Sequence, residues 1–230
     1  MQLNVHEVSQ LLSVSDKTIY RWVSQGEIPA YKFKDQYRFN EAEILEWAVI
    51  RKINISPKLF ETPEAKNFVN PSLAEVLRNG GIFFRLEGTD FRSAVGSLIK
   101  ALPLFDETVR QFLLESYWAR EELNSTAIGD GIAIPHSRVR VVPYIVRPMA
   151  ALGFLEEPVD FKALDGQPVR ILFTVLSPYL QAHLHVLSRF LLALRDAGFR
   201  EALRKQELRE TILSHCRRID ESIDRAKNPN

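Results

Sequence analysis

The eight residues Val169 to Leu176 constrain the fold of this chain more than any other stretch. Six are apolar, interrupted only by Arg170 and Thr174, and the run has the length of a strand. A strand of that character needs apolar cover on both faces, so it belongs in the middle of a sheet. The cover is at hand in the sequence. Phe91 to Leu102 and Glu107 to Glu121 have helical apolar spacing, as does the largely apolar segment from Leu180 to Ala197. Met149 to Leu155 is a second run of strand length. The last helix, Glu207 to Ala226, is amphipathic through Leu208, Ile212, Leu213, Cys216 and Ile219 and is expected to cover the sheet. Strands and helices in mixed order predict an α/β domain.

That domain does not begin at residue 1. Residues 51–70 show neither helical nor strand periodicity, and Pro57, Pro63 and Pro71 break any long helix there, so the segment reads as a linker between a unit at 1–50 and one at 71–230. The first unit carries its own start and stop signals. Asn4 and Glu7 have capping-box spacing before a helix with Val5, Val8, Leu11 and Leu12 on one face, and Asn40 and Glu43 repeat the spacing before a helix carrying Ile44, Leu45 and Trp47. Between them, Val14 and Ser15 form a turn and Asp16 to Gln25 a second helix ending at Gly26, with Ile19, Trp22 and Val23 as its buried stripe. Tyr31 to Phe33 and Tyr37 to Phe39 alternate like two short strands joined by Lys34, Asp35 and Gln36.

These features resemble the excisionase-like branch of the MerR-type winged helix-turn-helix domains, although the wing's turn lacks the family's usual glycine. The resemblance implies DNA binding through the outward face of the second helix, with Lys17, Thr18, Tyr20 and Arg21, and through the wing, with Lys32, Lys34 and Arg38. Whole-chain charge is uninformative, at 30 Lys and Arg against 29 Asp and Glu. Residues 17–38 hold five cations against Glu27 and Asp35, a modest excess that predicts binding as a homodimer rather than as a monomer. A helix-turn-helix that docks regulatory proteins is the alternative.

The residues that point to chemistry lie in Ser125-Thr126-Ala127-Ile128-Gly129-Asp130-Gly131-Ile132-Ala133-Ile134-Pro135-His136. Gly129 and Gly131 allow a tight backbone path, Ile132 to Ile134 read as a short buried strand, and Pro135 restricts Ile134. His136 is therefore held at a strand edge. From the residues alone it fits a general base, a metal ligand, a nucleophile or a packed structural histidine.

The run resembles the phosphorylation-site motif of the type 2 enzyme IIA domains of the bacterial phosphotransferase system, in their fructose, mannitol and nitrogen-regulatory branches. Arg120-Glu121 ahead of it and His183-Leu184-His185-Val186-Leu187 after it extend the match, which covers roughly Pro71 to Ala226. The resemblance implies an α/β sandwich with a mixed sheet flanked by helices. It also implies a phosphoryl group accepted on His136 from a histidine phosphocarrier protein, with His183 as second active-site histidine, Arg120 as the neighbouring cation, no role for His185 and no cofactor. Ser125, Thr126, Ser137 and Arg138 are the further candidates to hold the phosphate. The IIB domain that follows IIA in many sugar transporters is not found in the sequence. Two functions follow as expectations: a regulator whose phosphorylation is coupled to DNA binding, or a IIA component of a sugar-uptake relay with the helix-turn-helix as a docking module.

Other classes find no support. No apolar run approaches the roughly 20 residues of a spanning helix, and the amino terminus lacks signal-peptide character, so a cytoplasmic protein is expected. The single cysteine, Cys216, rules out an intramolecular disulfide. His183 and His185, two apart on a helix, face different ways, and no Cys and His spacing assembles a zinc site.

Overall fold

The computed structural model describes residues 2–51, 53, 71–104, 106–122, 125–137 and 145–227, and the chain divides into two compact units, Met1–Val69 and Asn70–Asn230. Most of the expected linker lies outside the described residues.

In the first unit the short strand β1 (Gln2–Leu3) precedes helices α1 (Val5–Leu11) and α2 (Asp16–Ser24), the hairpin β2 (Tyr31–Phe33) and β3 (Gln36–Asn40), and helix α3 (Glu41–Arg51). The capping box at α1 is complete: Asn4 Oδ1 accepts from the Glu7 amide at 2.9 Å and Glu7 Oε2 from the Asn4 amide at 2.7 Å. Ser15 caps α2, whose Ile19 is fully buried against Val8, Leu12, Phe39 and Ile44, while Trp22 and Val23 are half-buried at the margin of that core. Two details differ from the sequence reading. Gln2 and Leu3 pair with Asn40 and Phe39, adding a third strand, and Gln36 already belongs to β3, opposite Phe33. The wing turn is thus Lys34-Asp35, with Lys34 taking the left-handed φ of 52° that a glycine would otherwise supply.

The second unit is an α/β sandwich. Helix α4 (Leu73–Gly80) and strand β4 (Gly81–Leu86) lead into α5 (Phe91–Ala101) and α6 (Glu107–Glu121), then come β5 (Ala127–Gly129), β6 (Ile132–Ala133), β7 (Met149–Val159), β8 (Val169–Leu176), α7 (Leu180–Ala193), α8 (Ala197–Arg204) and α9 (Arg209–Lys227). The strands form one mixed sheet in the order β4-β7-β8-β6-β5, with β4 parallel to β7, β7 antiparallel to β8, β8 parallel to β6 and β6 antiparallel to β5. The run Val169–Leu176 is central, as its composition demands. Alternation along it feeds two layers. Leu172 and Leu176 pack with Val95, Leu98, Leu113 and Tyr117 of α5 and α6, while Phe173 stacks on Phe190 of α7.

The single helix expected from Leu180 to Ala197 is two. Asp196 accepts from the Phe199 amide at 2.8 Å and starts α8 afresh, because a capping carboxylate competes with continued helix. Leu208, expected on the sheet-covering face of the last helix, lies before α9 and is exposed, whereas Ile212, Leu213, Cys216 and Ile219 are buried.

Arg189 of α7, 5% exposed, donates to Asp220 of α9 at 2.6 Å, to Asp224 and to His185 Nε2 at 2.8 Å. Asp220 in turn accepts from the Leu73 and Ala74 amides at 3.1 and 3.2 Å, in the first turn of α4. Helix-start amides favour a carboxylate, so this cluster ties three helices through one buried ion pair.

Candidate phosphoryl-transfer site

The hairpin that carries the site is fixed by three consecutive residues at positive φ, Gly129 at 97°, Asp130 at 54° and Gly131 at 70°. Side chains at 129 and 131 would be strained there, so the glycines of the motif set the backbone path. Asp165 accepts from the Asp130 amide at 2.9 Å and from the Gln167 amide at 3.1 Å, and these two bonds hold its carboxyl below the ordinary range, so it braces the turn as an anion. Past the turn, β6 pairs in parallel with β8, Ile132 with Ile171 and Ala133 with Leu172. The chain then leaves the ladder at Ile134, Pro135 and His136.

His136 is 5% exposed and its ring is held at both nitrogens. Nδ1 lies 2.8 Å from the Ile134 carbonyl oxygen, and Arg120 Nε donates to Nε2 at 3.0 Å. A carbonyl only accepts and a guanidinium only donates. The neutral ring therefore carries its proton on Nδ1 and its lone pair on Nε2, facing Arg120. The same helix end supplies the next bond, from the Thr126 amide to Glu121 Oε2 at 2.9 Å. The Arg-Glu pair thus does two jobs: the arginine meets the histidine and the glutamate anchors the start of the strand that leads to it.

The hydroxyls differ. Ser125 Oγ donates to the Phe161 carbonyl at 2.5 Å and accepts from the Ala127 amide at 3.1 Å, so its proton is committed to the Phe161 carbonyl. Thr126 is 6% exposed, and its Oγ1 is buried with no hydrogen-bond partner among the described residues. Ser137 is half-buried beside His136, and Arg138 lies outside the described residues. His183 sits in the first turn of α7, half-buried, its amide donating to the Tyr179 carbonyl at 3.1 Å. Because β6 and β8 run parallel, His136 and His183 both leave the sheet at the carboxyl ends of these strands. His185 belongs to the Arg189 cluster. Alongside the site a cleft of about 590 Å³ is lined by Trp118, Glu121, Ser125 and Phe161 among others. Among the described residues no group of three or more His, Cys, Asp or Glu side chains forms a metal site.

One buried contact near the site was missed in the sequence. Tyr117 Oη lies 2.6 Å from Thr174 Oγ1, with the two residues 1% and 0% exposed. The signal was Thr174 itself, a hydroxyl in a run of aliphatic and aromatic residues, since a buried polar group needs a partner.

In the first unit, Lys17, Tyr20 and Arg21 are exposed on α2, and Lys32 and Lys34 on the wing. Thr18 shares a hydroxyl contact of 3.0 Å with the cap Ser15, and Arg38 is half-buried, donating to Gln36 Oε1 at 2.6 Å.

Comparison with known proteins identifies the family of each unit. The family described as "Phosphoenolpyruvate-dependent sugar phosphotransferase system, EIIA 2" matches residues 75–218, more than half of the chain, and a "Helix-turn-helix domain" matches residues 3–48. A nitrogen regulatory protein of Pseudomonas aeruginosa is 40% identical over 115 residues, covering 49% of this chain and 71% of the relative. The fructose-specific EIIABC component of Bacillus subtilis is 29% identical over 144 residues, covering 61% of this chain and 22% of that protein. Among solved structures, the nitrogen regulatory protein IIA-Ntr of Neisseria meningitidis superimposes with a TM-score of 0.52 at 27% identity, covering 63% of this chain and 98% of that one. No helix among the described residues is long and apolar enough to cross a membrane. The chain belongs to the type 2 EIIA family of the phosphotransferase system, its EIIA domain preceded by a helix-turn-helix domain.

Proposed function

We propose that the second unit is a phosphocarrier in which Nε2 of His136 takes a phosphoryl group from the phosphohistidine of a carrier protein, and that the first unit makes this a regulatory event at DNA. The observation that carries the first part is the doubly held ring, with Nδ1 against the Ile134 carbonyl and Nε2 against Arg120.

The Nε2 lone pair forms the new N–P bond as the donor's N–P bond breaks, and that electron pair returns to the donor's imidazole. The accepting ring gains positive charge in the step. The Nδ1–H bond to Ile134 becomes charge-assisted and strengthens as this happens, favouring the transition state over the ground state. Arg120 occupies the attacking lone pair at rest, so it must move to the equatorial phosphoryl oxygens, where its charge opposes theirs. An opposite charge at about 4 Å is worth on the order of 4 kcal/mol at an effective dielectric of 20. Thr126 Oγ1, buried with no partner among the described residues, has a proton to donate to a phosphoryl oxygen. His183 serves as a second partner from the first turn of α7.

The regulatory part is supported by the helix-turn-helix match and by the nitrogen regulatory proteins among the relatives. The likeness to a fructose-specific component favours a second reading, an uptake-relay IIA that hands the phosphate to a separate IIB protein. One experiment addresses both. The chain is incubated with enzyme I, its histidine carrier and phosphoenolpyruvate, and intact mass is read at neutral pH for wild type and His136→Ala. One acid-labile phosphate on wild type alone is expected. The phosphorylated and free forms are then compared for DNA affinity and for transfer to an isolated IIB. Equal affinities with rapid transfer would replace the regulatory reading with the relay, and no phosphate from either sugar-type or nitrogen-type donors would end both.

A further inference from the structure

The buried stripe of α6 runs through Val109, Leu113 and Tyr117 at intervals of four, and Arg120 follows three residues on, at the end of the same face. The last two members are polar, and each reaches one of two adjacent strand ends. Tyr117 meets Thr174 of β8 at 2.6 Å, and Arg120 meets His136 beyond β6 at 3.0 Å. Leu172 and Ala133 are level across the parallel pair. Thr174 lies two residues beyond the first of these and His136 three residues beyond the second. The two contacts are therefore neighbouring rungs between α6 and the carboxyl ends of β8 and β6, about 4.5 Å apart along the helix.

Apolar contacts alone fix the height of a helix over a sheet poorly, because Val109 and Leu113 can slide over neighbouring side chains with little loss. A hydroxyl pair cannot. Its range is a few tenths of an ångström, and a slip leaves a buried polar group unpaired. A shift of α6 by the rise of one residue, about 1.5 Å, would take Arg120 Nε out of hydrogen-bond range of Nε2.

We infer that Tyr117 and Thr174 are positioning residues for phosphoryl transfer: their buried hydroxyl contact sets the axial height of α6 and so keeps the Arg120 guanidinium within reach of the phosphoryl oxygens at His136. The inference rests on the phosphocarrier reading above. Their effect passes through Arg120.

The test uses the full chain with Tyr117→Phe, Thr174→Val and the double variant, measuring the maximal rate and half-saturation for phosphorylated carrier together with the urea midpoint. Tyr117→Phe and Thr174→Val each remove the hydroxyl contact from one side and lower the midpoint, and the double variant, which takes away both hydroxyls, recovers part of that loss. The positioning role predicts that the rate does not recover. The double variant stays tenfold or more below wild type, in line with the cost of an ångström-scale misplacement, with half-saturation unchanged. In an Arg120→Lys background, Tyr117→Phe is expected to cause no further loss of rate. A double variant at wild-type rate, or independent losses in the Arg120→Lys background, would reduce the pair to a packing feature and overturn the inference. Wild type that accepts no phosphate overturns the phosphocarrier reading itself, a result visible before any variant is made.

Discussion

A carbonyl at Ile134 decides which nitrogen of His136 keeps the lone pair, and the same logic of local surroundings makes Cys216 inert. Burial pushes the Cys216 thiol from an ordinary 9.0 up to about 12, with Asp220 adding to the shift. Native protein at pH 8 should resist iodoacetamide and be alkylated only after unfolding. The folded state keeps its proton where the unfolded chain loses it, so this contribution to stability is whole below pH 9 and is lost as pH rises toward 12, by about 1.4 kcal/mol per pH unit in that window. Urea midpoints across that range, compared with Cys216→Ala, measure the difference. Residues whose partners are close in sequence were legible before the fold was known, such as Asn4 with Glu7 and the glycines of the hairpin. The burial of Arg189 was not, because Asp220 and Asp224 lie 31 and 35 residues away and an arginine on a helix otherwise reads as solvated. Thr126 was named with Ser125 as an equal hydroxyl, and what separates them is the carbonyl of Phe161, 36 residues from Ser125.

Among the elements, α2 and the wing present the cations that a DNA reading requires. Lys17 and Arg21 are exposed and only four apart on α2, one helical turn. Replacing both with Ala is expected to weaken DNA binding sharply and to lower the slope of log K against log salt by about 1 to 2 units. Electrophoretic or fluorescence titrations at several salt concentrations check it, and unchanged affinity would favour a protein-docking role for this unit. Elements with a clean period were legible: α5, α6, β8 and the three helices of the first unit. Those that depend on a neighbour were not. Strand β4 is marked by no alternation, since Phe84 and Arg85 are exposed while Ile82 and Leu86 are buried, and its pairing with β7 shifts register between Phe83 and Leu86. Strands β1 and β5, two and three residues long, exist only because β3 and β6 lie beside them.

For the molecule as a whole, the ion pair of Arg189 and Asp220 is the joint of the second unit, with side chains 6% and 7% exposed. Removing one partner strands the other's charge, so Asp220→Ala should destabilise the unit by about 3 kcal/mol, the low end of the usual cost because Asp224, at 59% exposed, keeps one edge of the network in water. Chemical unfolding of wild type and variant measures this, and a loss under 1 kcal/mol would count against the joint. The same carboxylate has a consequence in time. Asp220 holds the amide of Leu73 across 147 residues of chain, whereas the core of the first unit is drawn from residues 3–53. During synthesis the first unit can therefore close as it emerges, while α4 waits for its acceptor until the ribosome has passed residue 220. For much of its making, a nascent chain carries a finished helix-turn-helix and an EIIA unit that is still open to chaperones and proteases.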